Sequence, residues 1–226
     1  MLIRIPKVLT PQDAAQFCQL LDEADWNDGK GTAGYLSQRV KNNNQLREDH
    51  PLGQQLGQKI LDALDANPLF LSAALPLKVV PPLFNRYADS QHYGRHIDGG
   101  IRPVYGTRHR VRTDLSATLF LSPPDSYEGG ELIIEGLDGA DSVKLAAGDL
   151  VLYSGNTVHR VAPVTRGVRL AAFFWLQSMV RLDAQRALLF KLDSGLQLLG
   201  RDHPDHPAMV DMMAVYHNLL RLWGDT

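Results

Sequence analysis

A histidine and an aspartate two residues apart, His96 and Asp98, could bind one metal ion together. On an extended backbone, residues at this spacing point to the same face. One imidazole nitrogen and one carboxylate oxygen suit a borderline divalent metal, and a second histidine would complete the two-histidine, one-carboxylate set that leaves coordination positions open on ferrous iron. His159, 61 residues beyond Asp98, follows a predicted strand and a polar turn, and is the candidate for that third ligand.

A second pair with the same spacing, His203 and Asp205, provides a comparison within the chain. Prolines at 204 and 207 surround it just before an apolar helical pattern, which favours a turn and a helix start. Only the first pair is followed by a further histidine and then, ten residues later, by Arg169. On spacing alone, a hydrogen-bonded surface pair remains the alternative to a metal site.

Arg169 is the single charged residue of the segment 168–176, which is apolar on both faces and predicts a strand inside a sandwich or barrel. Burying an unpaired guanidinium costs on the order of several kcal/mol. A carboxylate that accepts two hydrogen bonds is therefore its natural partner. The sequence leaves three options: a carboxylate on a ligand, an Asp or Glu of the same chain, or a strand end from which Arg169 extends to water.

Together, these four residues resemble the site of a known enzyme family. His96-x-Asp98, His159 and Arg169 resemble the Fe(II)- and 2-oxoglutarate-dependent dioxygenases, in the prolyl-hydroxylase-like branch. The chain is similar in particular to the bacterial PKHD-type hydroxylases, also called PiuC-type iron-uptake factors. The similar strings are Asn85-Arg86-Tyr87, Tyr93-Gly94-Arg95-His96-Ile97-Asp98, Glu128-Gly129-Gly130-Glu131-Leu132 and Gly148-Asp149-Leu150-Val151-Leu152-Tyr153.

The resemblance implies a double-stranded β-helix that binds Fe(II) through His96, Asp98 and His159, and the distal carboxylate of 2-oxoglutarate through Arg169. It also implies O2 and L-ascorbate as requirements, and hydroxylation of a substrate that yields succinate and CO2. The substrate itself is left open. Iron-uptake relatives suggest a siderophore-related molecule or a protein of iron acquisition, whereas the prolyl-hydroxylase branch suggests a peptide proline.

Two other classes of function remain as alternatives. A non-catalytic, cupin-like jelly roll that binds iron or a small molecule would also present a histidine cluster. Arg169 argues against it, because a metal-binding protein needs no buried guanidinium behind the ion. The third possibility is an interaction protein that uses its carboxy-terminal helices. Tyr87, on the strand before the metal pair, is expected either to hydrogen-bond the cosubstrate or to belong to the core.

The elements that must position these residues are predicted from hydrophobic periodicity. Residues 77–178 contain short apolar runs separated by Gly, Pro, Asp and Ser, which predict an antiparallel sandwich or jelly roll. One run extends over residues 79–87. Amphipathic helices are expected to begin at Pro11 and Pro51, with a short strand near residues 35–40 between them.

We therefore expect an α+β, mainly β, chain with a jelly-roll core at 77–178. Residues 1–76 form an N-terminal helical support region packed on that core, and residues 179–226 form a C-terminal helical extension. One helix of the extension is expected to end at Gly200 and the next to run from 207 to 223. Its apolar residues are expected to pack on the core, with a homo-oligomer contact as the alternative.

Composition limits the partners of the chain. The 226 residues include 23 Lys and Arg against 25 Asp and Glu, which gives no argument for binding nucleic acid or an anionic membrane. No run of 18 apolar residues and no secretory signal are present, so a cytoplasmic location is expected. Cys18, the single cysteine, excludes an internal disulfide, fits a reducing compartment and is expected to be structural.

A basic stretch, residues 95–112, follows the metal pair and contains Arg95, Arg102, Arg108, His109, Arg110 and Arg112. We favour a solvated loop whose charges pair with nearby acids, Asp125, Glu128, Glu131, Glu135, Asp138 and Asp141. The alternative is a basic rim beside the iron that receives an anionic substrate or partner.

Overall fold

The computed structural model describes residues 1–136 and 139–226, so Asp138 of the predicted acidic set lies outside the described residues. Within those residues the chain forms five α-helices: α1 (Pro11–Asp22), α2 (Pro51–Asp65), α3 (Pro68–Ala74), α4 (Asp183–Asp202) and α5 (Ala208–Trp223). The strands are β1 (Leu2–Ile5), β2 (Asn27–Asp28), β3 (Lys41–Asn42), β4 (Asn44–Gln45), β5 (Pro76–Val79), β6 (Leu83–Tyr87), β7 (His92–His96), β8 (Ile101–Pro103), β9 (Arg110–Arg112), β10 (Leu115–Phe120), β11 (Tyr127–Gly129), β12 (Leu132–Gly136), β13 (Gly139–Val143), β14 (Leu150–Ser154), β15 (His159–Val161), β16 (Val164–Gly167) and β17 (Arg169–Ser178).

The helix starts follow from local capping. The Thr10 hydroxyl accepts a hydrogen bond from the Asp13 N–H, and Pro11 occupies the first turn of α1, where its missing N–H costs nothing. α2 begins at Pro51 as predicted. Helix α3 is not among the predicted elements, although Asn67 caps it in the same way, by accepting a hydrogen bond from the Phe70 N–H.

Two sheets face each other in the jelly roll that the sequence predicts. The larger sheet has the order β1-β14-β10-β17-β6-β4-β2, with β5 also paired to β17, and the smaller has the order β13-β12-β15-β7-β3. The strand pairs within both sheets are antiparallel. Helices α1 to α3 cover the outer face of the larger sheet, where Phe17, Ile60 and Phe70 pack against its strands. A second apolar cluster contains Tyr87 and Phe120 from the larger sheet and Ile134 from the smaller one.

Three predicted boundaries need correction. The strand expected near residues 35–40 is wrong, because Ser37–Val40 is a 3-10 helix. The single run over 79–87 is two strands, β5 and β6, because consecutive prolines at 81 and 82 cannot donate to a sheet ladder. Helix α4 ends at Asp202, two residues beyond the predicted Gly200, since Arg201 and Asp202 continue the helical hydrogen bonding.

Helices α4 and α5 pack on each other and on the end of the larger sheet. Their shared cluster contains Leu189, Leu196 and Tyr216, together with Leu75 and Val180. The helical extension is therefore formed as predicted. None of the helices in the described part of the chain is long and apolar enough to cross a membrane.

Candidate metal centre and its cavity

Three predicted ligands meet where the adjacent inner strands β7 and β15 of the smaller sheet end and begin. His96 ends β7, His159 begins β15, and the strand register places these two residues opposite each other. Asp98 lies two residues beyond His96, with its carboxylate oxygens 3.8 Å from the Nε2 atom of each imidazole. One ligand atom from each residue lies within 4.8 Å of the others. This arrangement suits a single ion bound on one face.

Hydrogen bonds prepare each of these side chains for that role. His96 Nδ1 lies 2.9 Å from the Gly94 carbonyl oxygen, and His159 Nδ1 lies 3.0 Å from the Thr157 carbonyl oxygen. A carbonyl can only accept, so both Nδ1 atoms carry a proton, and Nε2 is the ring nitrogen that each histidine can offer to a metal. Burial, followed by the nearby His159, lowers the pKa of His96 to about 4, which keeps it in the neutral form that a metal binds.

Residues beyond the predicted set support the site. Ser116 donates a 2.6 Å hydrogen bond to Asp98 Oδ2, which fixes the carboxylate. Tyr93 stacks on His96 with ring centroids 3.6 Å apart, and Tyr153 contacts His159 edge-on at 5.1 Å. Ser116 is not among the predicted site residues. The signal that could have identified it is a hydroxyl group in the mostly apolar strand β10, at a position whose side chain points into the cavity.

Arg169 is buried without a charged partner. It opens β17 opposite Tyr87, is 1% exposed, and its guanidinium lies 5.3 Å from the Tyr87 ring centroid and 5.2 Å from that of Phe120. Its Nε and Nη1 atoms have no hydrogen-bond partner within the described residues, and no carboxylate of those residues lies within 4.0 Å of it. Of the three options, the geometry disfavours an intrachain salt bridge and an extension to water.

The glycine pair of the Glu128–Leu132 motif makes room for this side chain. Gly130 has a φ of +69°, and a Cβ atom built on it would lie 2.9 Å from Arg169 Cδ. Only glycine combines this backbone conformation with so close an approach. The motif therefore acts on Arg169 through space, although 39 residues separate the two positions in the chain.

The metal residues and Arg169 line one cavity of about 820 Å³ between the sheets. A volume of this size accommodates a cosubstrate and a second small molecule. Tyr87 packs in the inter-sheet cluster and therefore belongs to the core, as one of the two alternatives predicts. It also lines the cavity, and a hydrogen bond to the cosubstrate stays a prediction. Burial raises the pKa of its phenol to about 12, and the phenol stays protonated at neutral pH.

Residues 101–112 of the basic stretch form the β8–β9 hairpin rather than an irregular loop, and Arg95 lies in β7. Arg95 pairs with Glu135 through two 2.6 Å hydrogen bonds, and Arg112 pairs with Asp114 at 2.6 and 2.9 Å. Arg102 pairs with Glu48 at 2.5 Å. Intrachain pairing is thus observed for these three residues. The predicted partners need correction, because only Glu135 comes from the acidic set at 125–141. Asp114 is two residues from Arg112 in the chain, and Glu48 lies 54 residues before Arg102.

The second His-x-Asp pair is separate from the site. His203 and Asp205 lie exposed in the turn between α4 and α5, as the flanking prolines predict. Neither belongs to a group of potential metal ligands within the part of the chain that the structure describes.

Comparison with known protein families matches two parts of the chain. Residues 82–177 match the 2OG-Fe(II) oxygenase superfamily, and residues 183–225 match the PKHD-type hydroxylase C-terminal domain. Among curated proteins, a PKHD-type hydroxylase of Bordetella pertussis is 57% identical over 225 residues and covers 100% of both chains. The PKHD-type hydroxylase PiuC of Pseudomonas aeruginosa is 53% identical, again over 100% of both chains.

Solved structures share the fold at lower identity. A prolyl-4-hydroxylase from Pseudomonas putida aligns with a TM-score of 0.51 and 22% identity, over 78% of this chain and 92% of that one. A prolyl hydroxylase from Trichoplax adhaerens, in complex with a hypoxia inducible factor peptide fragment, aligns with a TM-score of 0.57 and 14% identity, over 83% and 86%. At these identities the likeness concerns the fold, which is the double-stranded β-helix that the sequence resemblance implied.

Proposed function

Since the chain belongs to the PKHD-type hydroxylases of the 2OG-Fe(II) oxygenase superfamily, we propose that it hydroxylates a C–H bond of an organic substrate while 2-oxoglutarate is converted to succinate and CO2. One observation carries this proposal. Three converging metal-ligand side chains share a cavity with a buried guanidinium that has no carboxylate partner within the described residues.

The residues present fit the cofactors that the superfamily implies. His96, Asp98 and His159 would hold Fe(II) on one face, because their free donor atoms converge there. Arg169 would donate two hydrogen bonds to the distal carboxylate of 2-oxoglutarate, which is the bidentate partner that it otherwise lacks. Bound iron, with 2-oxoglutarate and O2, would supply the oxidising chemistry that no amino-acid side chain provides. L-ascorbate is the expected reductant that keeps the iron ferrous.

The chain's own contribution is orientation and exclusion of water. Ser116 holds the Asp98 carboxylate, and two backbone carbonyls hold the imidazoles, so the ligands need no rearrangement on binding a metal. The apolar walls of the cavity, among them Leu132, Val161 and Phe174, limit water near the reacting atoms.

The alternative of a cupin-like binding protein makes a different demand on the site. It would need the metal ligands but no unpaired guanidinium beside them. An arginine buried at 1% exposure with two unpartnered nitrogen atoms costs stability, and a ligand with a carboxylate would offset that cost. The unpartnered Arg169 therefore favours the oxygenase.

The test is succinate formation by purified protein supplied with Fe(II), 2-oxoglutarate, ascorbate and O2. We expect succinate from the wild type and loss of it in the variants His96→Ala, Asp98→Ala and His159→Ala, since each removes one metal ligand. His203→Ala and Asp205→Ala are the matched controls and should retain turnover. Iron binding without any conversion of 2-oxoglutarate would support the cupin-like alternative instead.

The substrate is to be sought as a mass gain of one oxygen atom in cell extract incubated with enzyme, iron and 2-oxoglutarate. The two substrate classes suggested by the sequence predict that the oxygenated product is found in different fractions of the extract. A siderophore-related compound would appear among small molecules, whereas a prolyl substrate would appear as a modified peptide. If neither product appears while the enzyme converts 2-oxoglutarate, both suggested substrate classes are contradicted.

A further inference from the structure

A second buried cation, Lys41, lies in the cavity and has no role in the site described above. It begins β3, which pairs with β7, and its side chain lines the same cavity as His96 and Asp98. We propose that Lys41 recognises the substrate, and that the substrate is a small organic anion with a flat apolar body. This inference rests on the proposed function and names the substrate class of the same site.

The contacts of Lys41 leave its charge unbalanced. At 4% exposure, its Nζ atom donates to Thr32 Oγ1 and to Gln45 Oε1, both at 3.0 Å. Both acceptors are neutral, and no carboxylate of the described residues lies within 4.0 Å of the ammonium. An ammonium has three N–H donors, so one remains for a further acceptor. A buried cation without a counter-ion is costly, and an anionic ligand would remove that cost.

The other charges of the cavity would be balanced once the cofactors bind. The two positive charges of Fe(II) and the charge of Arg169 would then cancel those of the Asp98 carboxylate and the 2-oxoglutarate dianion. The remaining arginine of the lining, Arg102, pairs with Glu48. Lys41 is therefore the cation of the described lining that stays without a negative partner, and it would attract an anionic substrate into a low-dielectric site.

Lys41 and Arg169 lie at different positions along β17. Lys41 Nζ lies 5.8 Å from the Phe173 ring centroid, and Phe173 follows Arg169 by four positions on β17, which is about 13 Å along an extended strand. An anion at Lys41 is thus distinct from the distal carboxylate that Arg169 would bind.

The walls around Lys41 indicate the rest of the substrate. Tyr93 lies 5.2 Å from Nζ by its ring centroid, and Phe173 and Trp175 contact each other edge-on at 5.5 Å on the opposite sheet. Flat aromatic walls favour a flat apolar body between them. Asn85, which also lines the cavity, has an Oδ1 atom without a partner among the described residues and offers one acceptor to a substrate donor.

A structural role for Lys41 is the competing explanation, since its two hydrogen bonds tie β3 to the segment around Thr32. A neutral glutamine could make comparable hydrogen bonds without burying a charge. The two roles therefore differ in what they predict for Lys41→Gln. A structural lysine affects stability alone, whereas a recognition lysine also determines whether the site distinguishes an anion from a neutral molecule of the same shape.

The experiment uses the full chain loaded with Zn(II), which supports no turnover, and saturating 2-oxoglutarate. Calorimetry measures the binding of three probes, benzoate, 2-naphthoate and indole-3-propionate, each beside its primary amide. We expect at least one acid to bind about tenfold or more tightly than its amide, a difference of about 1.4 kcal/mol. Equal binding of acid and amide for all three pairs would overturn the proposal. Binding of the acids that occurs without 2-oxoglutarate and is lost when it is saturating would overturn it as well.

Variants show which residue causes the preference for the acid over its amide. Lys41→Gln should abolish it, Lys41→Arg should retain part of it, and Lys59→Gln, on the exposed side of α2, should keep it in full. A preference that persists in Lys41→Gln assigns Lys41 a structural role and refutes the inference. If Lys41→Gln does not fold, the wild-type pairs and Lys41→Arg decide. Succinate formation is measured separately: wild-type turnover without acid preference rejects only this inference, and absence of turnover rejects the proposed function.

Discussion

Arg169 and Arg186 are the largest side chains that the described residues bury completely, at 1% and 2% exposure, yet their surroundings differ. Arg186, in α4, donates from Nη1 to the carbonyl oxygens of Val180 at 2.7 Å and Arg181 at 2.8 Å, and pairs with Asp183 through Nη2. Arg169 faces two aromatic rings and the cavity, and has no comparable partner within the described residues.

The difference shows how a buried cation reveals its role. Bulk water solvates neither guanidinium to any extent, so each requires partners that offset the lost hydration. Arg186 has those partners in its own chain and therefore joins the C-terminal helices to the end of β17. Arg169 lacks them, and a ligand that provides a carboxylate would lower its free energy. Burial alone does not distinguish the two, whereas the hydrogen-bond partners do.

The largest effect on stability should come from Arg186→Ala. It leaves two buried carbonyls without donors and a cavity behind, which should lower the free energy of unfolding by about 3 to 5 kcal/mol. Chemical denaturation measures this loss. The affinity of the folded protein for 2-oxoglutarate should stay at the wild-type value. A comparable loss of affinity in this variant would break the division between a structural and a ligand-binding arginine.

Arg169→Ala should show the opposite pattern. We expect normal metal binding and 2-oxoglutarate binding weakened by about 2 to 5 kcal/mol, which is about 30-fold to several-thousand-fold. The unfolding free energy of the ligand-free protein should fall less than in Arg186→Ala, or rise, because an unpaired buried charge is removed. Calorimetry on Zn(II)-loaded protein measures the affinity.

Arg169→Lys refines this test. It should recover only part of the affinity, because an ammonium keeps the charge but loses the planar pair of donors. Unchanged 2-oxoglutarate binding in both variants would make Arg169 structural and remove the main argument against a cupin-like protein.

A smaller effect is expected from Gly130→Ala, which disturbs Arg169 from across the cavity wall. The new methyl group would lie 2.9 Å from Arg169 Cδ, so the guanidinium must shift, and 2-oxoglutarate affinity should fall by about 1 to 3 kcal/mol. Gly106→Ala is the matched control, because Gly106 has a φ of +71° and open space around it. Both variants should lose about 1 to 2 kcal/mol of stability from the backbone conformation. Equal affinities in the two would contradict the contact with Arg169.

The smallest effect should follow Cys18→Ser, at a half-buried position far from the cavity. Cys18 Sγ donates to the Leu121 carbonyl oxygen at 3.3 Å, and burial raises the pKa of the thiol to about 11. A serine hydroxyl can make the same hydrogen bond, so unfolding should change by about 1 kcal/mol and succinate formation should be unaffected. A large loss of turnover would show that α1 influences the site.

Local sequence was sufficient for much of the fold. Thr10 and Pro11 predict the start of α1 because a cap depends on residues within one turn, and alternating apolar runs predict the jelly roll. The same holds for His96 and Asp98, whose two-residue spacing limits how far apart they can be. It does not hold for residues 37–40. Their polar residues and one β-branched residue resemble a strand, and only contacts with other segments of the same chain determine the 3-10 helix.

Long-range pairing decided the rest of the site. The register that places His159 opposite His96 joins residues 63 positions apart, and no local pattern specifies it. Whether Arg169 has a partner, whether Gly130 touches it and whether Lys41 enters the same cavity depend on distances between strands that are remote in sequence. A sequence states which charges exist, and only the packed structure determines which of them are left unpaired, because pairing is a property of distances of a few ångströms.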